Sequence, residues 1–248
     1  MKKVVFYIVI LALGFSASAQ RTAPHDTTRY WIVQPSIGYT TFDLGEVNNF
    51  YDEVLAQYEI MGLTIPTQKQ YPGNVLIGLS ALYNIPAILR VGIGGSYSWT
   101  EAYSGYEDYA GLLEINSKIS MTTIEAVVER DLSTFKSGSL YLGASGGLSF
   151  VKSDYANFVS LHEYPYEGGE IKLSGDGQGH SVQLYLGGNF SVKNFTVGLT
   201  AGYRFAVIKE IEGTIQIPME GSYTGKLDLE HDLSGVVLTM RLGYKLYR

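Results

Sequence analysis

The chain has 248 residues, 24 acids against 18 bases, a formal charge of −6 and no cysteine. The missing cysteine excludes a disulfide framework, a thiolate metal site and a cysteine nucleophile. No stretch beyond the first twenty residues approaches the ~20 consecutive apolar residues of a spanning helix, while 20 tyrosines and 29 glycines are an unusual load that any fold must place.

The chain opens with Lys2 and Lys3, an apolar run from Val4 to Phe15, and Ala17-Ser18-Ala19. This order of charge, apolar core and small-residue cleavage site predicts a secretory signal over 1–19. The alternative is an uncleaved anchor. Residues 20–29 then form a short N-terminal segment, and 30–248 form one domain.

Eight stretches of alternating hydrophobicity follow. The first, 30–41, sets Trp31, Val33, Pro35, Ile37 and Tyr39 against Gln34, Ser36, Gly38 and Thr40. A proline is expected only at an edge or a bulge, so Pro35 predicts a bulge or a locally missing bond. The second (74–83) and third (88–99) are joined by a short turn at 84–87. The fourth, 115–130, changes its apolar face near Thr122, which predicts a bulge. The fifth is 139–151. The sixth (181–192) and seventh (195–207) are separated only by Lys193-Asn194, a two-residue hairpin connection. The eighth is 235–247. Each is long enough to cross a bilayer at a tilt.

The connections run long, short, long, short, long, short, long. That is the asymmetry of a barrel with short periplasmic turns and longer outer loops. The fold predicted is all-β: a closed antiparallel up-and-down transmembrane β-barrel of eight strands. It becomes ten if part of the third or fourth long loop joins the wall. A soluble lipocalin-like barrel is the alternative and needs reversed polarity or a large apolar cavity. In the first long loop, Val47, Phe50, Tyr51, Val54, Leu55, Tyr58 and Met61 recur at helical spacing and Gly62 follows. This predicts one short helix that caps the barrel mouth or lies at the membrane interface.

The last stretch carries Gly243, Tyr244, Leu246 and Tyr247, followed by Arg248. With the signal segment and the loop alternation, it resembles the small eight-stranded outer-membrane barrels of the OmpA and OmpX kind, whose last strand carries a glycine, spaced hydrophobics and a final aromatic. The resemblance is one of architecture over the whole chain. It implies an integral place in the cell outer membrane, contact with outer-membrane lipid and lipopolysaccharide, and delivery by barrel assembly machinery.

Sorting charge by this topology separates two populations. The four long loops (43–73, 100–114, 152–180 and 208–234) hold 20 acids and five bases. Such a crown attracts divalent cations or cationic ligands by its summed field; the bland alternative is a solvated loop surface. Asp228, Glu230 and Asp232 alternate within it and could share a hard cation through oxygen ligands. The second population points into the lumen: Arg90, Glu125, Glu129, Arg204, Arg241 and Lys245. Buried charge is expensive unless paired, so both glutamates are expected to pair with these bases, with glycines at 92, 94, 143, 147, 187, 198, 202 and 243 leaving room. The network is either a plug or the lining of a narrow pore.

Little points to catalysis. Gly143-Ala-Ser145-Gly-Gly147 matches G-x-S-x-G but lies within an alternating strand, not the strand–turn–helix elbow that the motif needs. His180-Ser181, His162 and His231 conform to no triad pattern. No phosphate loop, dinucleotide fingerprint, zinc spacing or basic aromatic groove for nucleic acid is present. No enzyme activity, cofactor or metal is expected. The reading is a structural or surface-interaction barrel acting through its acidic outer loops; the alternatives are a narrow channel and, remotely, a lipid hydrolase.

Overall fold

The computed structural model describes residues 29–42, 44, 56, 73–86, 89–107, 111–135, 137–161, 169–208, 211–217, 221–227 and 231–247. In chain order the strands are β1 (Tyr30–Thr40), β2 (Asn74–Ile85), β3 (Leu89–Glu107), β4 (Gly111–Phe135), β5 (Gly138–Leu161), β6 (Gly169–Val192), β7 (Phe195–Ile208), β8 (Ile211–Ile217), β9 (Gly221–Leu227), β10 (His231–Asp232) and β11 (Gly235–Tyr247). Each pairing is antiparallel. β1 to β7 follow one another, β7 pairs with β11, and β11 pairs with β1 from Tyr30↔Tyr247 to Thr40↔Val237. Eight strands therefore close a ring. Closure removes the unpaired edges that an open sheet exposes.

The ring is inside out relative to a soluble barrel. Ile93 (69% exposed), Leu199 (66%) and Ile124 (61%) stand on its outer wall. Gln34, Arg90, Glu129, Ser145, Gln183, Thr200 and Arg204 are buried inside. Aromatic side chains bound the apolar belt at both ends. Trp31 packs on Tyr83 and Phe195 on Tyr244 at the end that carries the short turns; Tyr97 packs on Trp99 and Tyr203 on Phe205 at the other. Ten residue steps separate Phe195 from Phe205. At ~3.4 Å per step and a tilt near 45°, they span ~24 Å, the height of a lipid-facing band. A surface of this kind is stable only against hydrocarbon.

Four strands rise well beyond the belt: β4 has 25 residues, β5 and β6 have 24 each and β3 has 19, against 11 for β1 and 12 for β2. Residues 100–114, 152–180 and 208–234, expected as loops, are thus largely strand. Their inward face is apolar enough to order them: Leu113, Ile115, Ile119, Met121 and Val151 cluster with Leu44, Ala206, Ile208, Ile211 and Leu233. The β8–β9 hairpin pairs with β6 above the ring, Gly177↔Ile211 to Lys172↔Gln216. It adds to this tall wall and does not enlarge the barrel to ten strands.

The bulge expected at Thr122 is not there. β3 and β4 stay in one register from Glu107↔Leu112 to Arg90↔Glu129, and the irregularity on β4 lies between Asp131 and Ser133. What changes at Thr122 is the surroundings. Below it the outward residues are Ile124, Ala126 and Val128, facing hydrocarbon; above it they are Asn116, Lys118 and Ser120, facing water. At Pro35 the register is also unbroken, with Val33↔Tyr244 and Ser36↔Arg241, but Gln34 and Pro35 have no ladder partner on β11. That is the missing bond that an imino nitrogen imposes. The β6–β7 turn places Lys193 at φ 53°, a left-handed conformation that costs a side-chain-bearing residue ~1–2 kcal/mol.

The segment expected as a signal, 1–19, and the N-terminal segment up to residue 28 lie outside the described residues. So does the helix expected over 47–61, but for the single residue Ala56; the described residues do not establish it.

Candidate functional site

The lumen is built by strands that alternate in phase, so every second residue of each wall meets the others on the axis. Near the short-turn end, Arg90 on β3, Glu129 on β4 and Arg241 on β11 converge. Glu129 has a side chain 0% exposed. Its Oε1 accepts from Arg241 Nη1 at 2.5 Å and from Tyr185 Oη at 2.9 Å. Its Oε2 lies 3.5 Å from Arg90 Nε, an ion pair without a hydrogen bond. Arg90 Nη2 donates to Asp131 Oδ1 at 2.8 Å, and that oxygen also accepts from Ser139 Oγ at 2.9 Å.

Tyrosines complete this layer. The Arg90 guanidinium lies over the Tyr141 ring at 4.6 Å and that of Arg241 over Tyr185 at 4.7 Å; Lys245 Nζ lies over Tyr30 at 4.9 Å. Tyr141 and Tyr185 meet edge to face at 6.4 Å. Cation–π contacts of this kind are worth about 2 kcal/mol or more when desolvated. With Ile32, Leu82 and Val127 these rings form a buried cluster across the lumen.

Glu125 does not join it. Its Oε2 accepts from Ser145 Oγ at 2.7 Å. Among the described residues, Arg204, 2% exposed, reaches Gln183 Oε1 at 3.4 Å and Ser96 Oγ at 3.5 Å, and its Nε and Nη1 find no partner there. Glu125 and Arg204 line a polar cavity of about 40 Å³ with Ser36, Gln183 and Thr239. That is room for one or a few waters, enough to bridge the two charges. Toward the long-loop end the apolar cluster around Ile115, Ile119 and Leu233 closes the lumen again.

The structure thus brings Arg90, Glu129 and Arg241 together, sets Glu125 and Arg204 across a small cavity, and leaves Lys245 on Tyr30. Asp131, Tyr141, Tyr185, Ser145 and Gln183 were not among the expected network. A signal for two of them exists in the register: Gly143 stands directly opposite Tyr185, and Gly187 opposite Tyr141. A Cβ at Gly143 would come within 2.2 Å of the Tyr185 ring, and one at Gly187 within 2.4 Å of the Tyr141 ring. These two glycines make room for aromatic rings, not directly for the long charged chains.

The remaining candidates separate. Asp228 and Glu230 lie outside the described residues; Asp232 Oδ1 accepts from Ser234 N at 2.9 Å, tying the chain as it enters β11. Among the described residues no group of acids and histidines is placed to hold a metal. Ser145 is buried in mid-strand, and His180 is exposed on the outer face while Ser181 is buried on the inner one, so this adjacent pair cannot act together. Outside the belt, two ionisable groups are shifted by partners. The Tyr103 hydroxyl donates to Glu114 (3.1 Å) and is held above the usual phenol range. Lys118 donates to Glu101 (2.6 Å) and is held above the usual lysine range.

No family model and no curated protein matches the chain. Among solved structures it is similar to a major outer membrane protein from Thermus thermophilus, at 8% identity over 88% of this chain and 99% of that one, with a TM-score of 0.49. It is also similar to OprG of Pseudomonas aeruginosa, at 15% identity over 90% and 98% with a TM-score of 0.46. Neisserial surface protein A is 16% identical over 90% and 100%, with a TM-score of 0.40.

Proposed function

We propose that the chain is an integral outer-membrane barrel with a sealed lumen, acting in a structural or surface-interaction role through its tall outer wall and acidic outer segments. The observation that supports this reading is double closure. A solute entering from one end meets the Arg90–Glu129–Arg241 layer and its tyrosines; from the other it meets the Leu113–Ile119–Leu233 cluster. Opening a path requires breaking a desolvated ion network and an apolar core in the same molecule. An eight-stranded ring has an interior that side chains can fill, and here they do. On the outer wall Glu101, Glu107, Asp176 and Glu212 are exposed above the belt, and a field of that sign recruits cationic ligands or divalent cations by summed attraction.

The test is single-channel recording of the refolded chain in a planar bilayer, with folding checked by heat-modifiable gel migration. The expected record is silent. Discrete, reproducible openings would overturn the sealed lumen and favour the narrow channel.

A further inference from the structure

Arg204 is the one lumen arginine without an ion-paired carboxylate among the described residues. Arg90 and Arg241 each donate to an acid. Arg204 is as deeply enclosed, at 2% exposure, yet its contacts are the long ones to Gln183 and Ser96, and its Nε and Nη1 have no partner. A buried guanidinium with idle donors is costly. Glu125 lines the same cavity but gives its Oε2 to Ser145.

The cavity of about 40 Å³ in front of Arg204 is rich in donors. Its lining includes two guanidinium groups, Arg204 and Arg241, one carboxylate, Glu125, and the hydroxyls of Ser36, Ser96 and Thr239. Glu129, which holds Arg241, is not part of that lining. A guanidinium donates only, and each hydroxyl can donate. A water placed here accepts from Arg204 but brings two hydrogens of its own, which compete for the same few acceptors. A monatomic anion accepts and brings none. The volume is that of one or a few waters, which selects a single compact ion over a phosphate or sulfate.

We propose that this cavity holds one halide ion, chloride in ordinary media, against the idle donors of Arg204, with water between the ion and Glu125. The proposal rests on the sealed lumen. With both ends closed, the ion enters as the barrel folds and leaves when it unfolds.

Two measurements on the full chain test this. The first is urea unfolding from lipid vesicles at constant ionic strength, with chloride exchanged for isethionate, an anion too large for the cavity. One chloride bound to the folded state and released on unfolding lowers the unfolding equilibrium constant about tenfold for each tenfold rise in chloride above saturation. Arg204→Met/Glu125→Gln, which removes both charges and leaves neither unpaired, should show no such dependence. The second needs no variant: the chain is refolded in bromide and crystallised, and the anomalous signal should show one bromide in the cavity. Absence of that bromide, or a chloride dependence that survives in the double variant, would overturn the proposal and leave the sealed lumen standing. Bromide that enters the cavity when chain folded in isethionate is soaked afterwards would uphold the site and overturn the seal.

Discussion

Replacing Glu129 by Gln keeps the shape of the side chain and removes one charge from the most enclosed point of the lumen. Glu129 accepts hydrogen bonds from Arg241 and Tyr185 and is ion-paired with Arg90. Removing one member of a buried ion network costs ~3–5 kcal/mol, because the charge left behind is uncompensated. Here the two arginines are affected unequally. Arg90 keeps Asp131 at 2.8 Å, whereas Arg241 is left on the face of Tyr185. The loss should therefore fall near the lower end, about 3 kcal/mol. Glu125→Gln is the internal control. Glu125 accepts a single charge-assisted bond from Ser145, worth ~1.5 kcal/mol. Urea unfolding from lipid vesicles, followed by the fluorescence of Trp31 and Trp99, reads both. Arg241→Met should cost less in the Glu129→Gln background than alone, since the partner it loses is already gone. Equal shifts for Glu129→Gln and Glu125→Gln, or a Glu129→Gln loss within ~0.5 kcal/mol of zero, would refute the account of the lumen given above.

Other outcomes follow from single features. Ile93→Arg places a charge at the middle of the belt and should cost ~2–4 kcal/mol, whereas Asn116→Arg, on an outward position above it, should cost ~1 kcal/mol at most; similar costs would mean the belt is misplaced. Gly187→Ala drives a methyl group into the Tyr141 ring and should destabilise by ~1–3 kcal/mol; Tyr141→Leu in the same chain should recover part of the loss in the same unfolding assay. Lys193→Gly relieves the left-handed turn at φ 53° and should stabilise by about 0.5–1 kcal/mol after the entropy of glycine is counted; a rise in the unfolding midpoint checks it.

The eight ring strands can be read from alternation because lipid and lumen demand opposite residues on the two faces. Their lower ends agree with the structure to a few residues. The upper ends of β1, β2, β7 and β11 agree as well, but β3, β4, β5 and β6 run on above the expected ends, and β4 shows why. Hydrophobicity identifies a face by its surroundings, and the surroundings of this strand invert at Thr122: outside passes from hydrocarbon to water, inside from charged lumen to apolar core. The same strand thus carries one polarity below and the reverse above, which reads as a slip of register. Within the lumen, the ionisable residues were legible because charges on inward positions must go somewhere. Which acid pairs with which base was not, since it depends on heights along tilted strands. Alternation with Leu140 and Leu142 places Tyr141 on the inner face, but neither it nor Tyr185 follows from the sequence as part of the charged layer; the cross-strand register, with a glycine facing each ring, reveals the room they occupy.

The tall wall also bears on how the protein reaches its final state. The β3–β4 and β5–β6 arms above the belt carry Glu101, Glu107, Glu114, Lys118, Lys152, Asp154, Glu170, Lys172 and Asp176, and all must pass from the side of synthesis to the far side. Driven through hydrocarbon as ions, nine such groups at ~2–3 kcal/mol each present a barrier on the order of 20 kcal/mol, before any strand has found its neighbour. Spontaneous insertion by that route is too slow to matter. The arms must cross while hydrated or already paired, so the height of the wall makes biogenesis, more than final stability, the step at which added length or charge is limited.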